Sequence, residues 1–171
     1  KILNRMGAKI KMKNIRMRYG EKQADIHVKS QQKLKKINCP SSLNSNLIDE
    51  FLILFLVAAK ADGISNFSNL DELNKKESPR LKLGSKLLNQ LGIKTKLTKD
   101  SIKIFGNPDI DLKKTIRIKN YHKDHRIFMT AVIAAFTFGG KWKINDIDSY
   151  KSSFPSFLDI IKKLGFKFKL I

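Results

Sequence analysis

One cysteine, four prolines and three histidines in 171 residues exclude several possibilities at once. A lone thiol, Cys39, cannot close an internal disulfide, so the sequence predicts a reducing compartment, the cytoplasm. His27, His122 and His125 are the only histidines, and no pairing of ligands has the spacing of a zinc site, so no metal is expected. The longest uncharged apolar run, Ile127 to Phe138, falls short of the roughly 20 residues that cross a bilayer. Phe51 to Ala59 is shorter still, and no signal-peptide pattern is visible, so no membrane partner is expected. Breakers are sparse in a chain that is 42% hydrophobic, which speaks for a globular protein rather than a disordered one. The length suits one domain or one lobe of a larger enzyme. Its start at "ILNRMG" reads as the end of a helix already under way, and a fragment is expected.

Acidic residues are also scarce: 15 against 35 Lys and Arg, a net charge of +20. That balance suggests nucleic acid or an anionic substrate. The placement of the lysines argues otherwise, because many alternate with apolar residues in "AKIKMK" (Ala8 to Lys13), "IKTKL" (Ile93 to Leu97) and "FKFKL" (Phe166 to Leu170). Alternation at period two puts such lysines on the solvent face of half-buried strands. Phe166 and Phe168 are accordingly expected to point inward, leaving the basic strip without aromatics for base stacking.

The same stretches expose an internal repeat. "LNRMGAKIKM", "LNQLGIKTKL" and "IKKLGFKFKL" each read as a helix closed by glycine, then an alternating strand. Gly7, Gly92 and Gly165 suit the left-handed residue that ends a helix. A second echo pairs Ile48 to Leu70 with Asp124 to Ile147, each an apolar helix with an acidic start, then glycine and a short strand. The repeating unit is therefore strand, helix, strand, helix, strand, strand. In one copy "KKINCP" leads into a helix from Leu47 to about Lys60, "GISNFSNL" into a helix from about Pro79 to Leu91, and a hairpin turns at Asp100 and Ser101. In the next, "KTIRIK" precedes the helix from Asp124, "KWKINDI" the helix from about Phe154 to Leu164, and "FKFKLI" ends it. This predicts an α/β repeat protein: residues 1–34 the tail of one unit, 35–106 a second, 113–171 an incomplete third.

Charged residues gather where strands hand over to helices: Asp49 in "LIDEF", Asp124 to Arg126 in "DHRIF", and "KKESPRL" from Lys75 to Leu81. Helix starts attract anions, and Lys76, Arg80 and Arg126 near them suit phosphate or carboxylate. Each motif alone also has a structural reading. Asp49 is a cap, Glu77 a surface partner of Arg80, His125 a satisfied partner of Asp124, and Lys75 belongs to solvent. "GGK" at Gly139 to Lys141 lacks the spacing of a phosphate loop.

Taken in order, "LIDEFLIL", "LDELNKKESPRL", "DHRIFM" and "SSFPSFLDIIKKLG" resemble the C-terminal part of the EPSP synthase family, from about Leu3 to the end. The resemblance implies a lobe of βαβαββ units, an inside-out α/β barrel with pseudo-threefold symmetry, whose N-terminal lobe is absent here. It implies transfer of the enolpyruvyl group of phosphoenolpyruvate to the 5-hydroxyl of shikimate 3-phosphate, with release of phosphate and no cofactor. Asp49 then corresponds to the carboxylate that holds the accepting hydroxyl and is a candidate base. Lys76 lies near that hydroxyl, and Glu77 serves proton transfer at the methylene group. Arg80 and Arg126 grip phosphoenolpyruvate with His125 beside them, while Asp124 orients His125 and caps its helix.

Two positions depart from the pattern. Pro79 replaces a usual aspartate, and Ser152 stands where a phosphoenolpyruvate-binding lysine is often found, with Lys151 one place away. With half the cleft missing, the chain alone is expected to be inactive, its partners being the two substrates and the absent lobe. Two alternatives remain at this stage: the sister transferase acting on a UDP-sugar, and a basic nucleic-acid-binding module. The charge by itself predicts weak, non-specific nucleic-acid binding at low salt.

Overall fold

The computed structural model describes residues 1–30, 33–146 and 148–169. A short helix α1 (Ile2–Arg5) precedes an antiparallel hairpin of β1 (Lys9–Arg18) and β2 (Glu21–Lys29). β3 (Leu34–Lys35) begins the next unit; a 3-10 turn at Ser41–Leu43, α2 (Asn44–Leu47) and α3 (Phe51–Ala59) then carry the chain over to β4 (Ala61–Asp62). β4 lies parallel to β3, and a bridge between Asn38 and Asn66 continues the pairing into β5 (Ile64–Phe67). α4 (Arg80–Gln90) follows, and β6 (Thr95–Leu97) and β7 (Ile102–Phe105) close the unit with β7 between β5 and β6. β8 (Leu112–Ile118), α5 (His125–Thr137) and β9 (Gly139–Ile144) repeat the parallel crossover, and α6 (Phe157–Lys163) follows. The predicted unit is thus present in order, including the hairpin turn at Asp100 and Ser101. Gly7, Gly92 and Gly165 close α1, α4 and α6 at φ of 91°, 82° and 87°, the left-handed conformation that their repetition implied.

α3 is apolar on nearly every side because nearly every side is covered. Phe51, Leu52, Leu54, Phe55, Leu56, Ala58 and Ala59 are all buried. α4 and α5 pack on α3, and Phe51, Phe55 and Phe67 meet through tilted and edge-on rings 5.2 to 6.1 Å apart. At the end of β7 the backbone passes so close to that of α3 and β4 that only glycine fits. A Cβ on Gly106 would stand 2.6 Å from the Ala58 carbonyl oxygen and closer still to that of Ala61. Backbone cannot swing aside as a side-chain tip can, so Gly106→Ala is expected to lower stability by about 3 kcal/mol, read as a drop in the urea midpoint.

The structure corrects three expectations. The Leu47 to Lys60 helix is broken: the segments Ser41–Leu47 and Phe51–Ala59 are bent by 118° around Ile48 to Glu50. The β1–β2 hairpin is not half-buried, since Met12, Ile26 and Val28 are 64%, 65% and 67% exposed. Alternation does place these side chains on a common face, but burial needs a layer against it, and the main neighbour of β1 besides β2 is α1. Finally, Phe166 to Lys169 form no strand, and both phenylalanines are exposed rather than inward, although Phe166 stacks on Phe136. In the preceding unit the equivalent strand, β6, bonds to β7; no counterpart of β7 exists among the described residues. Leu170 and Ile171 of the expected strand, and Ile147 after β9, lie outside those residues.

Candidate functional site

The centre of the site is Arg80, the first residue of α4 and only 2% exposed. Pro79 sets it there. With φ −72° and ψ 73°, Pro79 is the middle of an inverse γ-turn in which Arg80 N–H donates to the Ser78 carbonyl at 2.7 Å. The proline therefore stands at the N-cap, one place before the first helical turn expected for it. A buried guanidinium demands acceptors in its own plane. Arg80 has three: Nε donates to Asp124 Oδ2 at 2.9 Å, Nη1 to Asp49 Oδ1 at 2.9 Å, and Nη2 meets Glu77 Oε2 at 2.6 Å.

The break in the first apolar helix explains Asp49. It is not a cap, because the N-cap of α3 is Glu50, which makes no side-chain cap bond. Held in the bend, Asp49 presents one oxygen to Arg80 and the other to Arg126 Nη2 at 3.8 Å, with Lys76 Nζ also 3.8 Å from Oδ1. Arg126 is fixed further by the Asp49 carbonyl at 2.8 Å and by Glu50 Oε1 at 3.1 Å. Glu50 is the residue that sequence reasoning missed; its only signal was its place beside Asp49 in "LIDEF". The cluster thus unites Asp49, Lys76, Glu77, Arg80, Asp124 and Arg126, with four carboxylates against three cations once Glu50 is counted.

Asp124 caps α5, as expected, accepting from Arg126 N–H at 2.8 Å and Ile127 N–H at 3.3 Å. It does not orient His125. Its other oxygen accepts from Ser78 Oγ at 2.7 Å and from Arg80, both reaching in from the opposite unit, while the His125 ring has no hydrogen-bond partner among the described residues. Lys151 is paired with Asp148, and the hydroxyl of Ser152 with the Ser149 carbonyl. No group of three His, Cys, Asp or Glu among the described residues could hold a metal ion.

Burial acts to raise the Asp124 carboxyl, but the hydrogen bonds from Arg80 and Ser78 and the Arg80 charge outweigh it and hold the group below its ordinary range. A carboxylate with a depressed folded-state value stabilises the fold fully above its unfolded value, about 3.9, and loses that contribution as pH falls through the folded value. Acid unfolding should therefore steepen below about pH 4, and Asp124→Asn should flatten the stability profile there while lowering stability at neutral pH. Urea midpoints measured across that range check both signs.

A cavity of about 300 Å³ opens beside the cluster, with Asp49, Glu50 and Arg126 at one end and Ile53, Met129 and Phe154 along its walls. Larger hollows of about 380 and 430 Å³ lie elsewhere, one among Phe128, Phe136, Trp142 and Phe168, the other on the lysine face of β1 and β2. Neither brings charges of opposite sign together, so the smaller one is the candidate cleft wall.

Two crossover units thus set helix starts side by side in an α/β lobe, with arginines and carboxylates interleaved between them. The enolpyruvyl transferase NikO from Streptomyces tendae shares that fold, with a TM-score of 0.64 at 17% identity. More specifically, the chain belongs to the EPSP synthase (3-phosphoshikimate 1-carboxyvinyltransferase) family, whose profile matches residues 1–161. A 3-phosphoshikimate 1-carboxyvinyltransferase of Ruthia magnifica subsp. Calyptogena magnifica is 38% identical over 99% of this chain. One of Thermodesulfovibrio yellowstonii is 37% identical over 95%. EPSP synthase from Acinetobacter baumannii superposes with a TM-score of 0.85 at 33% identity, covering 95% of this chain and 37% of that one. The chain spans only about 38% of the length of these relatives.

Proposed function

We propose that the chain forms most of the C-terminal lobe of an enzyme that transfers the enolpyruvyl group of phosphoenolpyruvate to the 5-hydroxyl of shikimate 3-phosphate. The observation that carries this reading is the bridge Arg80–Asp49–Arg126, with Lys76 and Glu77 at its rim, in a member of this family. The hydroxyl oxygen adds to the substituted vinyl carbon while the methylene carbon takes a proton; phosphate then leaves as that methyl group gives a proton back. Two proton-transfer groups and several cations are required. Asp49 serves the hydroxyl, Lys76 lies beside it, and Glu77 serves the methylene carbon. Arg80 and Arg126 receive the anionic groups, His125 adds a contact, and Asp124 is a positioning residue that fixes Arg80.

The partners are these two small anions and the rest of the same protein, not nucleic acid or a membrane, and no cofactor takes part. The cytoplasm, where Cys39 stays a free thiol, suits the reaction. The family match disfavours the UDP-sugar transferase. The test is complementation: this chain mixed with the separately produced remainder of its parent, both substrates, and phosphate release as the readout. Release that needs both parts and disappears in Arg126→Ala establishes the reaction. No release from folded, associated parts overturns it.

A further inference from the structure

We propose that Glu50 and Glu77 occupy the arginines in place of the substrate's two anionic groups and withdraw when it binds, an inference that rests on the reading above. The partners of the two arginines fall into inner and outer sets. Asp124, with its side chain sealed from solvent, holds Arg80 Nε; Asp49 holds Nη1; and the Asp49 backbone carbonyl holds Arg126 Nη1. The outer partners are Glu77 on Arg80 and Glu50 on Arg126, with side chains 57% and 56% exposed. An exposed ion pair is weak and readily exchanged, whereas a buried guanidinium cannot shed its inner acceptors without large cost.

The chemistry of the exchange matches. Phosphoenolpyruvate carries one carboxylate and one phosphate, and a guanidinium fork accepts either in the geometry it offers a glutamate. The electrostatics require it as well, because four carboxylates already outnumber three cations here, so a polyanion is repelled while both glutamates stay. Withdrawal has a second effect at Glu77. Released from Arg80, its carboxylate becomes available for proton transfer only once phosphoenolpyruvate is seated. Glu50 takes no part in the chemistry and holds Arg126 only until the substrate's anionic group takes its place.

The test is calorimetric titration of the 171-residue chain with phosphoenolpyruvate, and separately with inorganic phosphate, at fixed ionic strength. Glu50→Gln with Glu77→Gln is compared with Glu72→Gln plus Asp109→Asn, which removes two exposed carboxylates whose ion pairs among the described residues are with Lys75 and Lys33. The first double variant should bind about tenfold more tightly than the second, and adding Arg126→Ala should remove the gain. Equal affinity in the two double variants, or a gain that survives Arg126→Ala, overturns the proposal. Should the first variant not fold by circular dichroism, each single substitution is made in the full-length parent, where about threefold tighter phosphoenolpyruvate binding is expected and unchanged binding is the contrary result. Turnover of the unmodified parent is measured beside it, so substitutions that tighten binding in a parent that transfers no enolpyruvyl group refute the catalytic reading alone.

Discussion

Arg80→Ala is expected to destabilise the chain by about 3–5 kcal/mol, the loss typical when one member of a buried ion cluster is removed. The cost arises at Asp124, whose carboxylate is buried and would keep only the Ser78 hydroxyl and two backbone N–H groups. Against a total of about 5–15 kcal/mol for a domain, such a loss leaves little margin. Arg80→Lys should recover only part of it, because one ammonium cannot face three carboxylates set around a planar fork. Urea unfolding of the three proteins at pH 7 measures this, and a loss below about 1 kcal/mol would mean that water reaches the cluster and solvates Asp124 in place of Arg80.

Glu77→Gln is expected to behave in the opposite way, with a large effect on rate and almost none on folding. Its carboxylate lies at the rim of the site, and its ion pair with Arg80 joins residues three apart at the mouth of one helix, a contact worth under about 1 kcal/mol when exposed. A group that moves a proton in the rate-determining step contributes about 10²–10⁴-fold, and glutamine keeps the shape while losing the proton chemistry. In the complemented enzyme kcat should fall by that factor with the urea midpoint unmoved. A loss of less than about tenfold would reassign the proton transfer to Lys76, the neighbouring group beside Asp49.

The contrast between these two residues marks what the sequence makes legible. Period and punctuation are local, so the order of the elements and the glycine-closed helices followed from short stretches read alone. Asp49, Lys76, Glu77, Arg80 and Arg126 were identifiable by type and motif. The Glu77–Arg80 pair followed from spacing, but the pairing through Asp49 did not, because it depends on a 118° bend that nothing in "NSNLIDEFL" signals. That bend moves Asp49 off the helix start, where it would cap, and carries it between the arginines; it also brings Glu50 to Arg126. Asp124 shows the same limit, since its partners Ser78 and Arg80 come from 46 and 44 residues away, while the ring of His125, next in sequence, makes no hydrogen bond to it. Burial failed for a related reason: the alternation in "AKIKMK" defines a face but says nothing about what lies against it.

A chain with a net charge of +20 therefore carries an acidic excess at its own site, while a group of its lysines lines the face of β1 and β2.

The placement of β7 between β5 and β6 has a consequence for how the molecule opens. β7 is bonded on both sides and α3 is sealed by rings, so the amides of these two elements should exchange with solvent only in global unfolding. The β8–β9 pair, bonded on one side each among the described residues, offers two edges there and should open in smaller, cheaper steps. Two copies of one motif would then behave as a slow-exchanging foldon and a fast one, differing by the counterparts of β6 and β7, which the second does not show among the described residues.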